Sequence, residues 1–120
     1  MEVFTLASAR AELAALRPVL DEFVAVRADA RELAVSLAPG GAPTTRGGLP
    51  EFKAAQARLD ELVSRLRGSG ADIKGFAPLL LDFPADLDGE PVLLCWLEGD
   101  ADLDWYHPYE LGFAGRRPLP

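Results

Sequence analysis

The first half of the chain repeats apolar residues at steps of three and four, which is typical of amphipathic helices. Between Thr5 and Ala38 one apolar stripe comprises Leu16, Val19, Phe23, Val26, Ala30, Leu33 and Leu37. Thr5 is a good N-cap for this helix, because its hydroxyl can accept a hydrogen bond from an otherwise unpaired backbone N–H. Pro18 predicts a kink or a break, because proline lacks an N–H and its ring clashes with the preceding turn.

A second, shorter helix is predicted after a connection rich in glycine and proline. The segment from Pro39 to Gly48 cannot continue a helix and is expected to be flexible. Pro50 suits the first helical position, and the apolar residues again recur at helical spacing: Phe52, Ala55, Leu59, Leu62 and Leu66. Gly68 or Gly70 is expected to end this helix. The two helices should therefore form an antiparallel hairpin.

After Gly70 the pattern changes to short apolar runs separated by turn residues, which is typical of strands. Asp88-Gly89 and Glu98-Gly99-Asp100 are the turn signals. The runs between and around them are Leu79–Phe83, Pro91–Leu97 and Leu103–His107. Short turns between consecutive strands predict an antiparallel meander of about three strands.

These elements predict an α+β fold in which a long antiparallel helical hairpin packs against a small antiparallel sheet. We expect a single domain over residues 1–120, with the hairpin arm in 1–70 and the meander with an ordered C-terminal tail in 71–120. At 1.5 Å per residue, the first helix is about 48 Å long and the second about 27 Å. The second helix can cover only the Val19–Leu37 half of the first, so the Leu6–Leu16 half should pack on the sheet. The apolar stripe of the helices is too wide to be buried within one small domain. It therefore predicts a homodimer through the helices.

The net charge of −7 comes entirely from the C-terminal part. Residues 1–70 carry nine acidic and nine basic side chains, whereas residues 71–120 carry ten acidic and three basic ones. This distribution argues against nucleic-acid binding and is compatible with a basic protein partner or a cation. No apolar run is long enough to span a membrane. A single cysteine cannot form an internal disulfide, which favours a cytoplasmic location.

Short motifs recur in a fixed order along the chain. They are Phe4-Thr5-Leu6, Asp82-Phe83-Pro84, Gly89, Leu94-Cys95-Trp96, His107, and Gly112-Phe113-Ala114-Gly115-Arg116 followed by Pro118-Leu119. In this order and spacing, most of the chain resembles a bacterial family known as domain of unknown function 2203. The family has Trp-His followed by Glu where this chain has Tyr106-His107-Pro108, and acidic residues where it has Ala7 and Ser8. The resemblance implies a fold and a concentration of important residues in the C-terminal part, but no particular reaction.

The only histidine, His107, is the first candidate for acid–base chemistry, because an unperturbed imidazole titrates near neutral pH. Glu110, Asp104 and Asp82 are candidates to orient it. Arg116 could clamp an anion or form a structural bridge to Asp82 or Glu110. Cys95 could join His107 and an acid if the second and third runs pair, although its apolar neighbours predict simple burial.

A metal site is the other candidate chemistry. If a metal is bound, Asp82, His107 and Glu110 are the expected ligands, and the sequence requires no cofactor. The alternating acids Asp100, Asp102 and Asp104 lack the glycine and glutamate of a calcium loop and are expected to form a solvated turn.

Two functions follow from these observations. The first is a non-enzymatic cytoplasmic interaction or regulatory module that forms a homodimer through its helices. The alternative is a small metal-assisted or acid–base hydrolase whose site lies around His107 at the sheet end, with His107, Glu110, Asp82 and Arg116 as its residues. Convergence of these four side chains on one open cleft would favour the enzyme.

Overall fold

The computed structural model describes residues 3–120 and has an α+β architecture, as expected. The helices are α1 (Leu6–Leu37) and α2 (Leu49–Gly68). The strands are β1 (Asp72–Phe76), β2 (Leu79–Leu87), β3 (Glu90–Leu97), β4 (Trp105–His107) and β5 (Arg117–Pro118), with a 3-10 turn at Phe113–Gly115. They form one antiparallel sheet in the order β1-β2-β3-β4-β5, so the sheet has five strands and not about three.

The chain divides into two compact units, and the boundary runs through α1. The sheet unit comprises the chain up to Leu16 together with Leu66–Pro120, and the hairpin unit comprises Arg17–Arg65. The first turns of α1 therefore belong with the sheet, as the difference in helix lengths predicts. Pro18 lies just beyond this boundary and does not break the helix.

The start of α1 is fixed by a reciprocal cap. The Thr5 hydroxyl accepts a hydrogen bond from the backbone N–H of Ser8 at 3.0 Å, and the Ser8 hydroxyl accepts one from the N–H of Thr5 at 2.9 Å. Each side chain thus satisfies a donor that has no partner within the helix. The N-cap predicted at Thr5 is confirmed.

Strand β2 runs through Pro84, where the sequence predicts its end. The carbonyl of Pro84 accepts the N–H of Phe4 at 2.7 Å, and the N–H of Asp86 donates to the carbonyl of Phe4 at 3.3 Å. Because N–H and C=O of one strand residue lie on the same edge, the Pro84 nitrogen faces Phe4 and not β3. Proline therefore removes no hydrogen bond from the β2–β3 ladder.

The two strands missed by the sequence are short edge strands. β1 contains Gly75 and alternates between exposed and half-buried residues, so it has no continuous apolar run. β5 has two residues, one of them Pro118, and pairs with Trp105 and Tyr106 of β4. Strands of this kind carry little periodic signal.

One face of the sheet is apolar and buried, and it forms the core of the sheet unit. Phe4 contacts it through an edge-to-face ring pair with Phe83, whose centroids are 5.4 Å apart. The buried apolar side chains on this face are Leu79, Leu81, Phe83, Ala85, Leu94 and Trp96. The opposite face of the same strands carries Asp82 and Cys95.

The hairpin unit buries its apolar stripe and joins its helices by ion pairs. Arg58 on α2 donates to both carboxylate oxygens of Glu22 on α1, one of them at 2.7 Å. Arg46 pairs with Asp29 and Glu32, so the connection expected to be flexible is held to α1. The buried stripe comprises Val19, Leu20, Phe23, Ala30, Leu33 and Leu62. No helix in the part of the chain described is both long enough and apolar enough to cross a membrane.

Candidate functional site

The register of the sheet brings one acid, one thiol and one imidazole to the same face. Asp82 on β2 is paired directly with Cys95 on β3, and Leu93 is paired with His107 on β4. Because alternate residues of a strand share a face, Leu93 and Cys95 lie on one side, and His107 lies diagonally opposite Cys95. The expected pairing of these strands is confirmed, and it assembles the Cys-His-acid set.

All three side chains are removed from solvent. Asp82 is 3% exposed, Cys95 0% and His107 2%. The His107 Nε2 atom lies 3.3 Å from each carboxylate oxygen of Asp82, and Nδ1 lies 2.8 Å from the carbonyl oxygen of Pro108. One potential ligand atom from each of Asp82, Cys95 and His107 lies within 4.8 Å of the other two. Burying three polar side chains together costs free energy unless each of them has a hydrogen-bond partner.

Burial also shifts the pKa values of Asp82 and Cys95. It raises the pKa of the Asp82 carboxyl above its ordinary value, although the neighbouring His107 partly opposes this. Burial raises the pKa of the Cys95 thiol to about 11, with opposition from the Arg116 guanidinium. Cys95 is therefore a thiol at neutral pH in this arrangement and not an activated nucleophile.

Arg116 lies close to Cys95 and forms an ion pair. The sequence predicted this ion pair with Asp82 or Glu110. The Nη1 atom of Arg116 donates to Oδ2 of Asp100 at 3.0 Å and lies 4.0 Å from the Cys95 sulfur. The guanidinium also stacks between the rings of Trp105 and Phe113, at 4.4 and 4.7 Å from their centroids. Asp100, and not Asp82 or Glu110, is thus the carboxylate partner in this structure. The structural bridge expected for Arg116 is therefore present, with Asp100 as the partner.

Phe113 and Glu110 are both exposed. Phe113 is 41% exposed, although the Arg116 guanidinium lies over one face of its ring. Glu110 is exposed in the turn after β4 and is not among the residues around the Asp82–His107 pair. Of the four candidate site residues, Asp82 and His107 come together, Arg116 lies beside Cys95 of the same cluster, and Glu110 lies outside it.

The alternating acids after β3 have separate partners, so they do not form a common ligand set. Asp100 pairs with Arg116, Asp102 accepts the backbone N–H of Leu103 at 2.7 Å, and Asp104 pairs with Arg10 at 3.2 Å. Asp102 and Asp104 are exposed, as expected for a solvated turn, while Asp100 is partly buried in its pair with Arg116.

A pocket of about 380 Å³ opens beside Asp82 and His107. The sheet contributes Lys74, Leu80 and Leu93 to its wall, and the tail contributes Tyr109, Leu111 and Phe113. Lys74 lies at an irregularity in the β1–β2 pairing between Ile73 and Gly75, the kind of bulge that redirects a side chain. The pocket is thus mainly apolar, with a buried acid and imidazole in its wall.

A larger and shallower depression of about 600 Å³ lies in the hairpin unit, beside the loop between the helices. It is lined by exposed residues such as Arg31 and Val35, and by Glu32, which already accepts hydrogen bonds from Thr44 and Arg46. No buried ionisable side chain faces it. Buried ionisable side chains line only the smaller of these two pockets.

The pairing of Asp82 with Cys95 could have been found from the sequence. Asp82 precedes Asp88 by six residues, and Cys95 follows Gly89 by six. Asp88 and Gly89 both have positive φ, which is typical of a two-residue hairpin turn and fixes the strand register around it. Placing His107 in the same cluster required the register of β4 as well.

Comparison with known proteins gives a family and no activity. A family model described as uncharacterized conserved protein (DUF2203) matches residues 2–119. No curated protein and no solved structure matches the chain.

Proposed function

Since the chain belongs to the DUF2203 family, whose description carries no activity, we propose a function from the site itself: a small hydrolase that acts in the pocket beside Asp82 and His107. Asp82 and His107 supply the chemistry, either as an acid–base pair or as metal ligands. The apolar walls of the pocket bind the substrate, and a water molecule attacks it.

One observation carries this proposal: an acid and an imidazole, each nearly inaccessible to solvent, lie together in the wall of a pocket. Replacing a buried ion pair by apolar residues is often neutral or stabilising, so stability alone gives little reason for such a pair. Ionisable groups with perturbed pKa values in a cleft are, by contrast, common at catalytic sites. The raised pKa of Asp82 fits that description.

The orientation of His107 limits how the pair can act. Its Nδ1 atom is engaged by the Pro108 carbonyl and its Nε2 atom faces Asp82, so neither ring nitrogen is free. In the acid–base route, the proton lost by the attacking water is taken up by the Asp82–His107 pair and then passed to the leaving group. In the metal-assisted route, a bound ion lowers the pKa of the water, and both residues act as ligands.

The test is hydrolysis by the purified full chain. Chromogenic carboxylic esters, phosphate monoesters and phosphodiesters would be compared for the wild-type protein, Asp82→Asn, His107→Asn and Glu110→Gln. We expect turnover of at least one class, a fall of on the order of 100-fold or more in kcat/KM for the first two variants, and no change for Glu110→Gln.

Two results would contradict the proposal. One is turnover that survives in both Asp82→Asn and His107→Asn, which would place the activity elsewhere. The other is no turnover of any class by a protein whose circular dichroism and thermal unfolding match a folded chain.

A homodimer that acts as an interaction module is the second candidate. Three large apolar side chains, Val35, Leu37 and Leu49, are exposed at the helix ends next to the interhelical loop. Contiguous exposed apolar surface marks protein–protein contacts, and we propose that these three side chains form such a surface. The acidic balance of residues 71–120 would further suit a basic partner.

A further inference from the structure

We propose that Asp82, Cys95 and His107 together form a binding site for one divalent metal ion of the zinc class, with its fourth coordination position open toward the pocket. The proposal deepens the function proposed above by naming its cofactor. It differs from the ligand set expected from the sequence, because Cys95 takes the place of Glu110.

The first argument is the protonation of His107. A backbone carbonyl can only accept, so Nδ1, at 2.8 Å from the Pro108 oxygen, must carry a proton. In the neutral imidazole, Nε2 then presents its lone pair to Asp82. A lone pair facing a carboxylate is repulsive unless a proton or a metal ion lies between them, and the distance distinguishes the two. This is also how histidine ligands of metals are held, with the second ring nitrogen donating to a carbonyl or carboxylate.

The second argument is distance. Nε2 lies 3.3 Å from both carboxylate oxygens of Asp82. A charge-assisted hydrogen bond between an imidazolium and a carboxylate is shorter, about 2.7–2.9 Å. Two ligands held 2.0–2.1 Å from a tetrahedral ion are about 3.3–3.4 Å apart, by simple geometry. The observed separation is that of two ligands of one ion.

The third argument is the position of Cys95. Its sulfur and the other two ligand atoms lie within 4.8 Å of one another. Sulfur and nitrogen ligands of one tetrahedral zinc are about 3.6 Å apart, so small side-chain rotations are enough to close the set. Asp82 and Cys95 are direct cross-strand neighbours, which holds them on a rigid sheet.

The ligand types select the class of ion. Thiolate and imidazole favour zinc and similar transition metals, whereas calcium and magnesium prefer oxygen ligands. A divalent ion with one thiolate, one carboxylate and one neutral imidazole has a formal charge of zero, which lowers the cost of burying the site. Three protein ligands leave one position for water, the arrangement typical of catalytic zinc rather than structural zinc.

Arg116 supports the thiolate from outside the ligand set. Its Nη1 atom is 4.0 Å from the Cys95 sulfur, while the guanidinium is fixed by Asp100 and two aromatic rings. A metal-bound thiolate carries more negative charge than a thiol, so this contact strengthens when the ion binds. The tail that carries Arg116 is thereby coupled to the site.

Cobalt(II) is the probe for this site, because thiolate coordination gives a sulfur-to-cobalt charge-transfer band and tetrahedral geometry gives intense visible bands. The full chain would be treated with chelator, dialysed and titrated with Co²⁺, and then with Zn²⁺ as competitor. We expect one Co²⁺ per chain, both sets of bands, and displacement by one equivalent of Zn²⁺.

Single substitutions distinguish the proposed metal ligands from nearby residues that do not bind the ion. Cys95→Ser should abolish the charge-transfer band, and Asp82→Asn and His107→Asn should each weaken Co²⁺ binding by more than the roughly 10- to 100-fold typical of outer-sphere changes. Glu110→Gln and Asp102→Asn serve as matched controls and should bind Co²⁺ as the wild-type protein does. Because a core variant can fail to fold, Cys95→Ala is paired with Cys95→Ser, and circular dichroism is recorded for each.

The proposal is overturned if wild-type protein shows no charge-transfer band at stoichiometric Co²⁺, or if Cys95→Ser retains wild-type affinity. Its failure is distinguishable from failure of the hydrolase. Metal binding without turnover would refute the hydrolase and leave the metal site standing. Turnover that is insensitive to both chelator and Cys95→Ser would refute the metal site and leave an acid–base hydrolase.

Discussion

At the scale of single residues, Asp82 lies where the strand pattern would otherwise place an uncharged side chain. Its neighbours Leu81 and Phe83 point into the apolar core, while its own side chain points to the other face, toward Cys95 and His107. Successive side chains of a strand point to opposite faces of the sheet, so the apolar core lies on one face and the small polar cluster on the other. The Pro108 carbonyl that orients His107 is a backbone group, so any residue at that position can supply it.

Arg116 provides the clearest prediction at this scale. We expect Arg116→Lys to lower the free energy of unfolding by about 1 kcal/mol or more, because lysine cannot stack between Trp105 and Phe113 and cannot pair with Asp100 through a planar group. Chemical denaturation would measure the change. Arg117→Lys, at an exposed neighbouring position, should stay within about 0.5 kcal/mol of wild type. Equal stability of the two variants would show that the Arg116 contacts contribute nothing.

At the scale of elements, α1 is a single helix whose ends belong to different compact units. Its first turns pack with the sheet, where Arg10 donates to the carbonyl of Leu103 at 3.2 Å. Its later turns pair with α2 through Glu22 and Arg58. The break expected at Pro18 does not occur, since a proline removes one backbone hydrogen bond and the other helical bonds remain.

The Glu22–Arg58 pair predicts a pH dependence. The hydrogen bond that Glu22 accepts from Arg58 lowers the pKa of the Glu22 carboxyl below the ordinary value of 4.5. A carboxylate whose pKa is lowered by folding adds stability above its unfolded pKa and loses that stability as the pH falls through the folded pKa. Between about pH 5 and pH 3 we therefore expect a smaller fall in Tm for Glu22→Gln than for wild type.

The control for this prediction is Glu12→Gln, a half-buried acid on the same helix and outside the hairpin unit. It should follow the wild-type pH profile. If Glu22→Gln also follows that profile, the ion pair contributes no pH-dependent stability, as is common for pairs with this degree of exposure.

At the scale of the whole molecule, the homodimer needs a different interface from the one that the sequence suggests. Phe23 and Leu33 belong to the apolar stripe from which the homodimer was predicted, but each is almost completely buried in the single chain. Replacing either by lysine would bury an unpaired charge and unfold the hairpin unit rather than separate two chains. The exposed group of Val35, Leu37 and Leu49 is the better interface for a proposed dimer.

We expect light scattering at tens of micromolar to give twice the chain mass of 12.9 kDa. Leu37→Glu combined with Leu49→Glu should return the mass to that of one chain without changing the circular dichroism, because both side chains are exposed. Arg31→Glu, another exposed position on α1, is the control for added charge. A wild-type protein that scatters as a single chain at these concentrations would rule the dimer out.

The parts of the fold that depend on neighbours in sequence were predictable. Helix periodicity, the Thr5 cap and the Asp88-Gly89 turn rest on contacts within a few residues, and all three are confirmed. The hairpin turn even fixes the pairing of Asp82 with Cys95. The fold class followed from these local signals, whereas the family was recognised from the order and spacing of short motifs along the chain.

The sequence by itself thus determined the helices, the central strands and the position of their turn, because the energies that decide them are local. Only the tertiary structure decided that β1 and β5 complete the sheet, that Arg116 pairs with Asp100, and that His107 joins Asp82 and Cys95 while Glu110 does not. Those outcomes depend on the register of β4 and the path of the tail. Both are set by burial and hydrogen bonding between segments far apart in the chain, for which a single sequence carries no periodic signal.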